Sequence, residues 1–245
     1  MFMVLLCTAA PAILAQDVSK FVVDLESGPV WQSRNDVQIP NTEAGTRFSL
    51  VDLAGEGPSP AVRLYLTWNI SERHSLRSLL APLAYTKTGS FSSQVDFAGE
   101  SYLPGDPVDA TYKFNSWRLG YRYRFLDNER LKLSVGFTAK IRDAKIKLTQ
   151  GSTTSEKTDV GFVPLIYLGN DWRFAKQWHL LFDFEGLAGG PGRAFDVALK
   201  LYYAINDRWG GLSAGYRTLE GGADVESVYN FAWLHYALIS GTYRF

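Results

Sequence analysis

The stretch RLKLSVGFTAKIR, residues 130–142, sorts its side chains by parity. Leu131, Leu133, Val135, Phe137, Ala139 and Ile141 fall on one side, and Lys132, Ser134, Gly136, Thr138, Lys140 and Arg142 on the other. Successive side chains of a β-strand point to opposite faces, so this period of two reads as a strand with one apolar and one polar face. The pattern recurs on either side of it. Over Ala194 to Ile205, Phe195, Val197, Leu199, Leu201, Tyr203 and Ile205 alternate with Asp196, Ala198, Lys200, Tyr202 and Ala204. Over Ser59 to Ile70, Val62, Leu64, Leu66, Trp68 and Ile70 alternate with Arg63, Tyr65, Thr67 and Asn69.

Carried along the chain, the same reading predicts about ten strands, near 20–33, 59–70, 74–87, 110–125, 130–145, 158–174, 178–188, 193–205, 209–219 and 229–245. Short polar turns at Asn69–His74, Leu126–Glu129, Ala175–Gln177 and Asn206–Arg208 separate longer connections at 34–58, 88–109, 146–157 and 220–228, with a brief exception at Gly189–Gly192. Short turns at one end and long loops at the other predict an all-β, antiparallel up-and-down transmembrane β-barrel, with the turns on the periplasmic side. An even strand count places both termini there too. The segment Thr46 to Leu53 leaves room for an extra strand or a loop hairpin, and so for twelve strands.

Composition agrees. The chain has 245 residues, 46% hydrophobic and 20% charged, with no long apolar run after its first residues, which excludes a helical membrane protein. Lys plus Arg (25) balances Asp plus Glu (25), so no global basic field recruits nucleic acid. The opening MFMVLLCTAAPAILAQ reads as a signal peptide over residues 1–15, cut after Ala12 or Ala15, ahead of a single barrel domain over 16–245. The one cysteine, Cys7, lies in it, so the mature chain would have no thiol chemistry.

A soluble barrel also alternates, but it turns its apolar parity inward. Here aromatics gather on the apolar parity towards strand ends. Trp68, Tyr123, Phe125, Trp172, Phe174, Trp178, Trp209 and Tyr243 lie near the short turns, and Trp31, Tyr216, Tyr229 and Phe231 near the long loops. Two aromatic girdles at lipid headgroups are the expected reason.

The last strand adds a motif. Phe245, Tyr243, Gly241, Ile239, Ala237, His235, Trp233, Phe231 and Tyr229 share one face, and Arg244, Thr242, Ser240, Leu238 and Tyr236 the other. The terminal Phe245 with Tyr243 two residues before it resembles the C-terminal assembly signal of bacterial outer-membrane β-barrel proteins. That resemblance implies a bacterial outer-membrane location, with barrel assembly machinery as the partner during insertion.

The polar parity would then line the lumen. Asp24 and Glu26 are expected between Arg63 and Arg244, pairing across the seam where the last strand meets the first. Arg118, Arg122, Arg124, Lys132, Lys140, Arg142, Lys200 and Arg217 supply positive charge, and Asp183, Glu185 and Asp196 negative. Mixed signs in a narrow interior predict a charge-paired plug. The expected function is a structural or surface-interaction barrel acting through its long loops on an unidentified extracellular ligand, with outer-membrane lipid and lipopolysaccharide around it. A narrow small-solute channel is the alternative.

A lipid-modifying enzyme is the third reading. His74 and His179 follow short turns, the wrong end for such chemistry. His235 points to lipid in the outer half, and Ser27 on the first strand is its candidate partner across the seam, with the His as general base. No Cys/His or Asp/Glu cluster has metal-ligand spacing, and no cofactor motif is present. The loop acids Asp96, Glu100, Asp106, Asp109, Glu220, Asp224 and Glu226 read as solvated faces, or as weak divalent-ion bridges to lipopolysaccharide.

Overall fold

The computed structural model describes residues 19–190, 192–206 and 209–245. The expected signal peptide, with Cys7 and both cleavage positions, lies outside them, as do Pro191, Asp207 and Arg208. In chain order the elements are β1 (Phe21–Gln38), β2 (Phe48–Ser49), α1 (Leu50–Ala54), β3 (Ser59–Asn69), β4 (His74–Ala81), β5 (Ala84–Ser90), β6 (Val95–Phe97) and β7 (Glu100–Tyr102). Then come β8 (Pro107–Asp127), β9 (Leu131–Gln150), β10 (Thr153–Arg173), β11 (Trp178–Gly189), β12 (Gly192–Asn206), β13 (Gly210–Val225) and β14 (Val228–Arg244).

Among the described residues, ten antiparallel positions form the wall: β1, β3, β4 continued by β5, and β8 to β14 in sequence order. The last strand pairs back to the first, from Val22↔Arg244 to Gln38↔Tyr229, so the sheet closes. Closure removes the unpaired edges that an open sheet would expose. The expected strand 74–87 is interrupted after Ala81 because Pro82 has no N–H for the ladder. Both halves still pair with β8, His74↔Tyr123 in one and Ser90↔Pro107 in the other.

Two of the expected loops are strand. β9 and β10 continue through 146–157 to a turn at Gly151 and Ser152, where Gly151 takes φ +58. β13 and β14 do the same through 220–228. Thr46 to Leu53 adds no wall strand: it supplies β2 and the start of α1, whose first turn is capped by the Ser49 hydroxyl accepting from the Asp52 N–H at 3.2 Å.

The strands also change solvent along their length. In the lower part of β9, Phe137 and Ile141 are exposed on the outside while Thr138 and Lys140 are buried inside. Past Asp143 the assignment inverts, and Ile146 and Leu148 become the inward, buried residues. β8 inverts at the same height: Arg118 and Ser116 are buried below, Val108, Ala110 and Tyr112 above, and Leu119 is 55% exposed on the outer face. Above the inversion the inward side chains meet those of the loops. Val37, Leu50, Phe97, Tyr102, Val108 and Leu148 form the centre of a continuous apolar core that caps the long-loop end. Fully burying such side chains contributes roughly 1.5–3 kcal/mol each. The short hairpin β6–β7 is pinned there by Tyr102, whose hydroxyl donates to the Leu148 carbonyl at 3.1 Å and lies 2.8 Å from Ser155.

Candidate functional site

Below the cap, the inward parity of the wall strands brings charged side chains together across the lumen. Glu26 of β1 lies 2.8 Å from Lys200 of β12, 3.1 Å from Arg217 of β13 and 3.6 Å from Arg63 of β3. Asp196 of β12 takes Arg217 at 2.5 Å, Arg118 of β8 at 2.8 Å and Arg63 at 2.9 Å. Glu185 of β11 pairs with Arg118, stands 3.4 Å from Arg122 and accepts from the Thr138 hydroxyl at 2.9 Å. Asp183 holds Arg77 of β4 at 3.3 Å and Arg122 at 3.8 Å, and accepts from Tyr167 at 3.0 Å. The rings add their faces: the Arg77 guanidinium sits 3.9 Å from the centre of Tyr65, and that of Arg122 sits 3.8 Å from Tyr167. A belt tied to so many strands crosses the barrel at mid-height.

The belt carries an excess of positive charge. Arg63, Arg77, Arg118, Arg122, Lys140, Lys200 and Arg217 are seven cations, against the five carboxylates Asp24, Glu26, Asp183, Glu185 and Asp196. Lys140 is 3% exposed and has no ion pair among the described residues; its ammonium lies 4.8 Å from the centre of the Phe114 ring.

The remaining expected lumen residues lie away from the belt. Lys132 lies at the short-turn end, 3.7 Å from Asp127, and Arg124 pairs with the same carboxylate at 2.9 Å. Arg142 pairs with Asp159 above the belt. Arg244 does not reach Asp24 or Glu26, as its place opposite Val22 sets it below them. The seam is instead tied by the Thr242 hydroxyl donating to Asp24 at 3.0 Å, while Glu26 turns to Arg217 and Lys200. Arg244, Lys132, Arg122 and Asp183 line a vestibule of about 1130 Å³ open at the short-turn end.

The seryl partner of His235 is Ser33, not Ser27. Ser27 lies opposite Ile239 and donates to the Ala61 carbonyl at 3.3 Å. His235 lies opposite Trp31, and the β1–β14 register slips between Gln32 and Arg34, so Ser33 is an extra, bulged residue. Its Oγ is 2.7 Å from His235 Nε2, and Nδ1 of the same ring is hydrogen-bonded to the Tyr216 hydroxyl. The group lies on the outer face beside Trp31 and Trp233. His74 is bonded to Tyr121 at 2.6 Å and His179 to Asp171 at 2.6 Å, both at the short-turn end. Sequence reading also passed over Arg77, because its strand alternates poorly, with Leu76, Leu79 and Leu80 on both sides of the sheet. Tyr65 and Tyr167 share the parity of Arg63 and Gly169 and were findable on that count alone.

At the long-loop end, Asp96 accepts from Ser101 Oγ at 2.5 Å and from Gln94 at 3.2 Å, and these bonds hold its carboxyl below the ordinary aspartate range. The Arg47 guanidinium lies 3.7 Å from the centre of the Tyr229 ring. Among the described residues no group of three or more His, Cys, Asp or Glu is arranged to hold a metal ion.

The fold has solved counterparts. The outer membrane protease OmpT of Escherichia coli aligns over 96% of this chain and 100% of its own, with a TM-score of 0.57 and 10% identity. Ail, the attachment invasion locus protein of Yersinia pestis, aligns over 92% and 99%, at 0.40 and 12%. Neisserial surface protein A aligns over 93% and 98%, at 0.38 and 14%. No protein-family model matches the chain. No curated protein matches it either. Closed, antiparallel and ten-stranded among its described residues, the chain has the fold of a bacterial outer-membrane β-barrel.

Proposed function

We propose that the protein is an integral outer-membrane barrel that does not conduct, and that its capped long-loop end is an extracellular contact surface. The observation that carries this reading is the ion-paired belt. An open conduit needs a continuous water path, whereas here Glu26, Asp196, Arg63, Arg118 and Arg217 meet one another across the lumen, nearly excluded from solvent. The exposed aromatics support the membrane setting: Trp68, Trp172, Phe174, Trp178 and Trp209 ring the short-turn end on the outside, and Tyr216 and Trp233 lie nearer the other end. In this orientation the short turns and both termini are periplasmic, and lipopolysaccharide surrounds the upper band. The barrel assembly machinery would read Tyr243 and Phe245 during insertion. The test is planar-bilayer recording of the purified barrel. Silence is the expected result, and discrete openings whose size changes when Arg122 is neutralised would establish a small-solute channel instead.

A second reading is favoured by one distance, that between Ser33 Oγ and His235 Nε2. A hydroxyl hydrogen-bonded to a histidine on the lipid-facing side is the arrangement a lipid-modifying enzyme requires, with Ser33 as nucleophile and His235 as base. Lipid turnover in proteoliposomes that is unchanged in Ser33→Ala and His235→Ala would end this reading.

A further inference from the structure

The wall is not complete along β10. Its ladder with β11 runs from Arg173↔His179 up to Ile166↔Gly186 and stops, although β11 continues to Gly189 and β10 reaches back to Thr153. On its other edge β10 stays paired with β9 all the way to Thr153↔Gln150. Pro164 stands two residues beyond the last β10–β11 pair and has no N–H to offer a partner. The gap therefore opens beside the upper half of β10. Val160 and Phe162 border it on the outer face, 70% and 64% exposed. These are the last apolar outward residues before Thr158 and Glu156, so the gap lies within the apolar band of the barrel's outside and not above it.

Behind the gap is a cavity of about 440 Å³, within the ordinary range for small-molecule sites. Its apolar sides include Tyr112, Phe114, Ile146, Leu165 and Leu187, and the ion pairs Arg118–Glu185, Arg142–Asp159 and Arg193–Glu220 also line it. Leu187 has the inward parity of Glu185 and yet is 40% exposed, because it stands in the opening. At the base lies Lys140, the buried cation for which the belt provides no carboxylate. An unpaired buried charge is costly, and a belt with two more cations than carboxylates cannot supply the missing anion internally.

We propose that this chamber binds a single-chain amphiphile with an anionic head, which reaches it from the membrane between β10 and β11. The head group pairs with the Lys140 ammonium. The aliphatic chain lies along Tyr112, Phe114 and Leu187 and leaves through the gap. Long apolar side walls beside a buried cation with no carboxylate partner favour a molecule with an aliphatic chain and one anionic group, and sideways access spares it the passage through water and the capped end.

The test uses the full barrel in phosphatidylcholine nanodiscs with radiolabelled palmitate, and hexadecanol as the uncharged probe of the same length. Wild type is expected to hold palmitate at least ~10-fold more tightly than hexadecanol, the scale of one charge-assisted hydrogen bond. Lys140→Met should remove that preference, and Lys140→Arg should keep most of it. Equal binding of the two probes by wild type, or no binding, overturns the proposal, and that comparison needs no variant to fold. Gly189→Trp tests the route, because a side chain added at Gly189 meets no atom within 4 Å of its Cβ and fills open space at the gap. It should abolish or slow uptake of palmitate already dissolved in the bilayer. Unchanged uptake in that variant overturns the lateral route.

Discussion

Asp196→Asn removes one negative charge from the middle of the belt and leaves the side-chain volume almost unchanged. The wild-type carboxylate meets Arg217 at 2.5 Å, Arg118 at 2.8 Å and Arg63 at 2.9 Å, and is 3% exposed. Removing one partner of a buried ion pair costs about 3–5 kcal/mol, because the other charge stays behind without compensation. Here three guanidiniums lose their shared anion. Glu26, already engaged by Lys200, Arg63 and Arg217, cannot take up the difference. The upper part of that range is therefore expected, which at about 1.4 kcal/mol per decade is roughly three powers of ten in the folding constant. The assay is urea-dependent folding into lipid vesicles, followed by the fluorescence of the chain's 7 Trp. Arg217→Gln in the Asp196→Asn background removes one of the stranded cations, so the double variant should cost clearly less than the two single ones together. A loss below about 1 kcal/mol, typical of exposed ion pairs, or strict additivity, would refute the account of the belt as a dry, coupled network.

Tyr102→Ala should release the β6–β7 hairpin from the cap, at a local cost of about 3–5 kcal/mol, while the wall remains inserted; limited proteolysis should then cut between residues 91 and 106. Asp96 has its pKa depressed by Ser101 and Gln94, so its contribution to the same hairpin is present above the ordinary aspartate pKa and lost as pH falls through the lowered value. Carboxyl NMR should find Asp96 titrating below the ordinary aspartate value, and Ser101→Ala should raise it. Gly28→Ala should lower folding yield at the seam, because a Cβ at that position would stand 2.0 Å from the Ala237 carbonyl oxygen; overpacking of this kind costs about 1–3 kcal/mol. A wild-type yield would show that the seam can yield there.

The wall was legible because a two-sided strand leaves a period of two that neither loops nor helices imitate. Arg130–Arg142 and Ala194–Ile205 were read with the right faces, since Phe137 and Leu199 point out and Lys140 and Lys200 in. What escaped were places where the period is kept but its meaning changes. Beyond Asp143, Ile146 and Leu148 carry on the inward parity as apolar residues, and a reader expecting polar residues there sees a loop. Ser33 escaped for a different reason. Ser27 and Ser33 share the outward parity, and only the register, with Ser27 opposite Ile239 and Trp31 opposite His235, shows which of them stands beside the ring. Arg244 has the expected parity, and only register shows that it is too low to reach Glu26. Contacts across the lumen, such as Arg63 with Asp196, join residues far apart in sequence and leave no local trace.

The inversion of the strands has a consequence for how the molecule should come apart. In the lower part the surroundings proposed here are oily, so burial of apolar groups provides no net drive and the closed backbone ladder, unable to find water, keeps the strands together. In the upper part the outside is aqueous and the core of Val37, Leu50, Phe97, Tyr102 and Leu148 is held by ordinary hydrophobic burial, with the heat capacity and denaturant sensitivity that burial brings. One continuous set of strands thus belongs to two thermodynamic regimes. Cooling and mild urea should loosen the cap first and leave a bare cylinder standing beneath it.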